Sequence, residues 1–304
     1  MRKLLPILLL AAVTPGFAGK RRERLAVPVW VEGERLEAGT LGVRLGGQAA
    51  RVEAVRGPEH DLLLLVVLDL SGDVSLAETA RDALARQVHQ LPAHTWVSLM
   101  RAHEGLSVIL DPTADRSAFE QAVRAAPPGR HAGFLESAPT VMDLADAILR
   151  QSGVRVAVLF VTDSDVRRYR EDFANPVINA SDPRDLSRHF PEALVQEKIR
   201  KLDRLMAHSE APLFVVHLDY RSDRLNEAYQ AGLTQLAATT GGASEFCRSQ
   251  GEIAEAIGRA LARIASHYSV VVAVPERTPK FASLDLRAPG RTLTYRPQVP
   301  AEER

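Results

Sequence analysis

The sequence predicts an α/β fold: a doubly wound, mostly parallel sheet flanked by helices, with short β-rich extensions at both ends. Three observations lead there. Residues 62–68 are a wholly apolar run, which reads as a strand buried on both faces, as strands of parallel sheets are. Residues 154–161 and 213–218 repeat that pattern apart from Arg155 and His217, and segments of helical periodicity separate the runs. Before residue 61 and after residue 267 the period falls to two, with glycine turns, as in short antiparallel strands.

Residues 1–19 read as a secretory signal. Arg2 and Lys3 form the charged start, 4–13 the apolar stretch, and Gly16-Phe17-Ala18 a small-residue cleavage site. The apolar stretch is short of the roughly 20 residues that span a membrane. The expectation is an exported protein, periplasmic or secreted, with no membrane span once the signal is removed. Residues 20–60 form a β-rich segment, 61–267 the α/β domain and 268–304 a second β-rich segment. The two β-rich ends are expected to pair as one annex.

Within the domain, Leu76, Ala80, Leu84 and Val88 lie at helical spacing, and Ser75 with Glu78 reads as a capping box for that helix. Strands follow near 95–101 and 106–110, then a helix at 117–126. Thr140 with Asp143 reads as a second capping box, opening a helix through Ile148 and Leu149. Further helices are expected at 191–208, 226–239 and 251–267, and strands at 268–274, 281–287 and 292–296. Residues 164–190 form a long insertion after the strand 154–161. Connections of that length often carry recognition.

The bulk numbers narrow the function. With 46% hydrophobic and 25% charged residues over 304, the chain can bury a core. A net charge of zero argues against nucleic-acid binding through a broad basic surface. Arg167-Arg168 reads as solvated surface. Cys247 is the single cysteine, so no internal disulfide forms. His131, His189, His208 and His217 have no metal-type spacing, and no nucleophile elbow or phosphate loop occurs.

The remaining polar residues gather where open α/β sheets bind ligands, beyond the carboxyl ends of the strands. Asp69, Ser71 and Asp73 follow the first strand, Thr140 stands at an expected helix start, and Asp163 follows the strand 154–161. Hydroxyls and carboxylates suit a hard cation. Each also has a plainer role: Asp73 near a helix start, Thr140 as an N-cap, Asp163 as a turn former. Asp165 and Asp219 read as loop and turn residues.

On these residues the chain resembles the von Willebrand factor type A (VWA) domain over about 61–275. Asp69-Leu70-Ser71-Gly72-Asp73, Thr140 and Asp163 match the three elements of that family's metal-ion-dependent adhesion site (MIDAS), and Ala238-Thr239-Thr240-Gly241-Gly242 suits its last helix. The likeness is to the exported bacterial subgroup. It implies a non-enzymatic module that binds a protein ligand through Mg²⁺ or Ca²⁺ held by Asp69, Ser71, Asp73, Thr140 and Asp163. Asp73 departs from the pattern, which has a serine there, so the site is degenerate. Two alternatives remain: a scaffold that keeps the fold without the metal, and a metal-dependent phosphatase or hydrolase with Asp69 as nucleophile or ligand.

Overall fold

Every residue of Leu62–Asp69 is buried, so helices must cover both faces of the sheet that contains it. A computed structural model describes residues 22–33, 35–103, 105–170 and 191–302. The expected signal and most of the 164–190 insertion lie outside these residues. In chain order the strands and helices are β1 (Arg24–Glu32), β2 (Gly42–Leu45), β3 (Gln48–Ala49), β4 (Val52–Arg56), β5 (Leu62–Asp69), α1 (Val74–Gln87), β6 (Thr95–Ala102), β7 (Leu106–Thr113), α2 (Arg116–Ala125), α3 (Phe134–Ser152), β8 (Arg155–Thr162), α4 (Pro191–Met206), β9 (Leu213–His217), α5 (Arg224–Thr239), β10 (Ala243–Phe246), α6 (Ile253–Ser266), β11 (Tyr268–Ala273), β12 (Phe281–Arg287), β13 (Thr292–Tyr295) and β14 (Gln298–Pro300).

The central sheet has the order β10-β9-β8-β5-β6-β7. Its strands run parallel except β7, which returns antiparallel to β6. Alternate residues of β5 feed opposite cores. Leu63, Leu65 and Val67 join Phe160 and side chains of α3, α4 and α5. Leu62, Leu64 and Val66 join Leu159 and side chains of α1, α2 and α6. This is the doubly wound α/β architecture, and it carries the carboxyl ends of β5, β8 and β9 to one edge.

The β-rich ends do pair. β1 lies between β13 and β11, and β4 adds beyond β11; β12 pairs with β2 and β14. Their inner faces form a third core around Leu25, Val27, Leu45, Val270 and Val299. Arg155, at the start of β8, joins annex to domain. Its side chain is fully buried and donates to the carbonyls of Pro58, His60, Ala265 and His267.

Both expected capping boxes are corrected. Helix α1 starts at Val74 with Asp73 as its N-cap, so Ser75 lies in the first turn. Helix α3 starts at Phe134, six residues before Thr140, and contains Pro139. Its first amides are capped by a distant side chain, described below. Strands β10 and β14 were not expected from the periodicity; both are short edge elements, and no residue of β10 is fully buried.

Candidate functional site

Strands β5 and β8 are paired in register as far as Asp69 and Thr162, which sets Asp69 and Asp163 side by side. Asp69 is fully buried. Its Oδ1 accepts from the Gly133 amide at 2.8 Å, and its Oδ2 accepts from the Phe134 amide at 3.2 Å and the Thr162 hydroxyl at 2.9 Å. The carboxylate therefore caps α3 from another strand and favours the positive end of that helix. Gly133 permits the approach, since a Cβ there would stand 2.7 Å from the Ala102 carbonyl oxygen.

Asp163 is also buried, and each of its oxygens accepts one backbone amide, Ser71 at 2.7 Å and Gly72 at 2.7 Å. Burial raises the pKa of both carboxyls. That of Asp69 rises to about 7, against the pull of the Gly133 amide and the Thr162 hydroxyl. Asp163 is raised by burial too, opposed by the Ser71 and Gly72 amides and by the charge of Arg168.

Arg168 is the residue that sequence reasoning missed, and its reading as solvated surface is corrected. It is half-buried, and its Nη1 donates to the Ser71 carbonyl at 2.9 Å. A Cβ placed on Gly72 would strike Arg168 Nη1 and would lie 2.7 Å from Asp163 Oδ2, so only glycine leaves room for this arrangement. Arg167 instead pairs with Asp223 at 3.0 Å. Nothing in the local sequence distinguishes the two arginines. The turn that follows Asp165, whose side chain accepts from the Arg167 amide, separates them.

A chain of hydroxyls leads inward from Asp69. Thr162 Oγ1 lies 2.6 Å from Ser164 Oγ, Ser164 Oγ lies 2.6 Å from the Tyr229 hydroxyl, and that lies 2.8 Å from the Tyr169 hydroxyl. A hydroxyl carries one proton. With Thr162 donating to ionised Asp69, Ser164 donates to Thr162, Tyr229 to Ser164 and Tyr169 to Tyr229. Tyr169 accepts from the Leu135 amide at 3.3 Å. All are buried.

The five expected ligands do not converge. Asp69, Ser71 and Asp163 meet. Asp73 is exposed and occupied as the α1 cap, accepting from the Ser75 amide at 2.7 Å. Thr140 is exposed on α3, seven residues from Gly133, which is about 10 Å along the axis at 1.5 Å per residue. Among the described residues no group of three or more His, Cys, Asp or Glu is placed to hold a metal. Four oxygens of Asp69 and Asp163 already accept hydrogen bonds, and a cation at Asp163 would meet the charge of Arg168. Asp73 and Thr140 thus stand apart from Asp69, Ser71 and Asp163, and of these three the buried Ser71 Oγ lacks a hydrogen-bond partner. Asp69 is enclosed and bonded through both oxygens, which argues against its acting as a nucleophile.

One neighbouring acid is also corrected: Asp165 is buried, not solvated, and pairs with Arg221 at 3.2 Å. Asp219 stands in the bend after β9, as expected of a turn residue, and pairs with the same arginine at 2.6 Å. Cys247 is buried, and burial lifts its thiol to about 11.

No protein-family model and no curated protein matches the chain. Among solved structures, it is similar to BatB from Bacteroides thetaiotaomicron, at 14% identity and TM-score 0.41, covering 67% of this chain and 98% of that one. It is similar to the vWF domain of the type V pili tip protein Mfa5 from Porphyromonas gingivalis, at 12% identity and TM-score 0.43, covering 67% and 95%. Proximal thread matrix protein 1 from the mussel byssus, in a structure with a zinc-occupied MIDAS motif, matches at 9% identity and TM-score 0.46, covering 71% and 48%. Its structural neighbours thus include VWA domains, and the fold class itself rests on the strand order above.

Proposed function

We propose that the chain is an exported protein-binding module of VWA-like fold, not an enzyme, and that its contact edge is set by Arg168 instead of Mg²⁺ or Ca²⁺. The edge consists of the segments 70–73, 126–133 and 163–170. The observation that carries this reading is the position of Arg168 over Gly72, bonded to Ser71 and adjacent to Asp163. It supplies one fixed positive charge where the resemblance implies a metal. Among the described residues its only side-chain hydrogen bond is to Ser71, so donors remain for an oxygen of a partner. No helix among the described residues is long and apolar enough to cross a membrane.

A metal-bound form is the second reading, and one observation favours it: Ser71 Oγ is buried without a hydrogen-bond partner. Affinity capture separates the two. Wild type and Arg168→Glu are immobilised and challenged with envelope and secreted proteins of the source organism, in EDTA and in Mg²⁺ or Ca²⁺. A protein retained in EDTA by wild type and lost by Arg168→Glu supports the arginine reading. Retention only with a divalent ion supports the metal. Capture of nothing under either condition removes the binding-module reading.

A further inference from the structure

The annex and the C-terminal end of α3 enclose a cleft of about 470 Å³. It lies at the far end of α3 from Asp69, roughly 28 Å away for a 19-residue helix, and so is separate from the edge above. Its charged lining is Arg22, Glu23, Arg24, Arg56, Arg150 and Glu210. Glu210 is already committed: Oε2 accepts from the Ala26 amide at 2.7 Å, and Oε1 pairs with Arg22 at 2.6 Å and Arg150 at 3.4 Å. That leaves the side chains of Arg24 and Arg56 with no hydrogen bond or ion pair among the described residues, against the single exposed carboxylate of Glu23. Burial, and then the charge of Arg24, lower the Arg56 pKa, so the two guanidinium groups share one field. The walls beside them are apolar, from Ala26, Leu149 and Val271. A half-open cleft of this size, lined by two like charges that lack counter-ions of their own, suits a small ligand of opposite charge.

We propose that this cleft binds a small oxyanion, a phosphate or polycarboxylate group, held between the guanidinium groups of Arg24 and Arg56. Bound there, the ligand bridges the strands β1 and β4 to the end of α3 and stabilises the docking of the annex on the domain. Phosphate and carboxylate share this chemistry, and the probes distinguish them.

The test measures thermal unfolding of the full chain with inorganic phosphate, with citrate and with chloride at matched ionic strength. Phosphate or citrate is expected to raise the midpoint by a few degrees beyond chloride, and the stronger of the two names the class. Titration calorimetry should show at least a tenfold weaker Kd for Arg24→Gln and for Arg56→Gln. Arg24 is exposed, so its variant folds even if that of Arg56 does not. Arg287→Gln, on β12 and paired with Asp285, should bind as wild type does. Phosphate and citrate acting no differently from chloride would overturn the proposal. So would binding that survives Arg24→Gln with Arg56→Gln.

Discussion

Arg168 donates through Nη1 to the carbonyl oxygen of Ser71 at 2.9 Å, across 97 residues of chain. This contact sets a guanidinium against the loop in which the sequence places its metal ligands. It requires Gly72 beneath it and Asp163 beside it.

Removing the guanidinium should open the edge. Arg168→Ala leaves Asp163 with its two amides but no cation nearby. Its midpoint is expected to fall in EDTA and to recover by about 2 °C with millimolar Mg²⁺ or Ca²⁺. Thermal unfolding of the variant checks this; identical curves with and without the ions would contradict it.

Asp69 gives a pH dependence with a definite sign. Its folded pKa is raised from 3.8 to about 7. Its contribution to stability is therefore fully present below pH ~4 and is lost as the pH rises through 7, by at most about 4 kcal/mol. Asp146, raised to about 6, acts in the same direction. His267, lowered to about 4 by burial, acts in the opposite one, losing stability as the pH falls below 6.5. The difference between wild type and Asp69→Asn isolates Asp69. Urea unfolding at pH 4.5 and 7.5 should show a smaller fall with rising pH in the variant. An equal fall in both would sink the assignment.

The hydroxyl chain is tested by Tyr229→Phe. The variant leaves the ring in place and strands Ser164 and Tyr169, whose hydroxyls lie 2.6 and 2.8 Å from that of Tyr229. A loss of about 1–3 kcal/mol in urea unfolding is expected. A loss below about 0.5 kcal/mol would show that water or rearranged hydroxyls replace it.

Arg155→Met should be more damaging. Methionine fills much of the same volume but takes the Arg155 donor from the carbonyls of His60, Ala265 and His267, while that of Pro58 keeps the His94 ring. A loss of about 3–5 kcal/mol is expected. Near-neutral behaviour would mean that Arg155 is not what holds annex and domain together.

The fold was legible because long apolar runs such as 62–68 have one interpretation in a chain of this length, and because Asp69 and Asp163 end such runs. The pairing of the two β-rich ends was legible from the return of period two. The site was legible only in part. Helix α3 was placed late because its N-cap, Gly133, makes no side-chain hydrogen bond, and its first amides are capped by Asp69, 64 residues away. A cap supplied by another strand leaves no local sequence mark, whereas Thr140 and Asp143 imitate one. Pro139, a residue that helices favour in their first turn, here stands inside the helix. Asp73 was placed correctly beside a helix start, and the structure gives it the plainer of its two roles. Arg168 was hidden because its function depends on a turn that sends two adjacent arginines to different partners.

Whether Arg168 takes the place of a metal is tested most sharply by thermal unfolding of the wild-type chain in EDTA, then with added Mg²⁺ and with added Ca²⁺. With Arg168 closing the edge, the three midpoints should agree to within about 1 °C, since an ion that does not bind the folded state cannot stabilise it. A rise of several degrees with either ion would show that Asp69, Ser71 and Asp163 hold a metal after all, and would contradict the account.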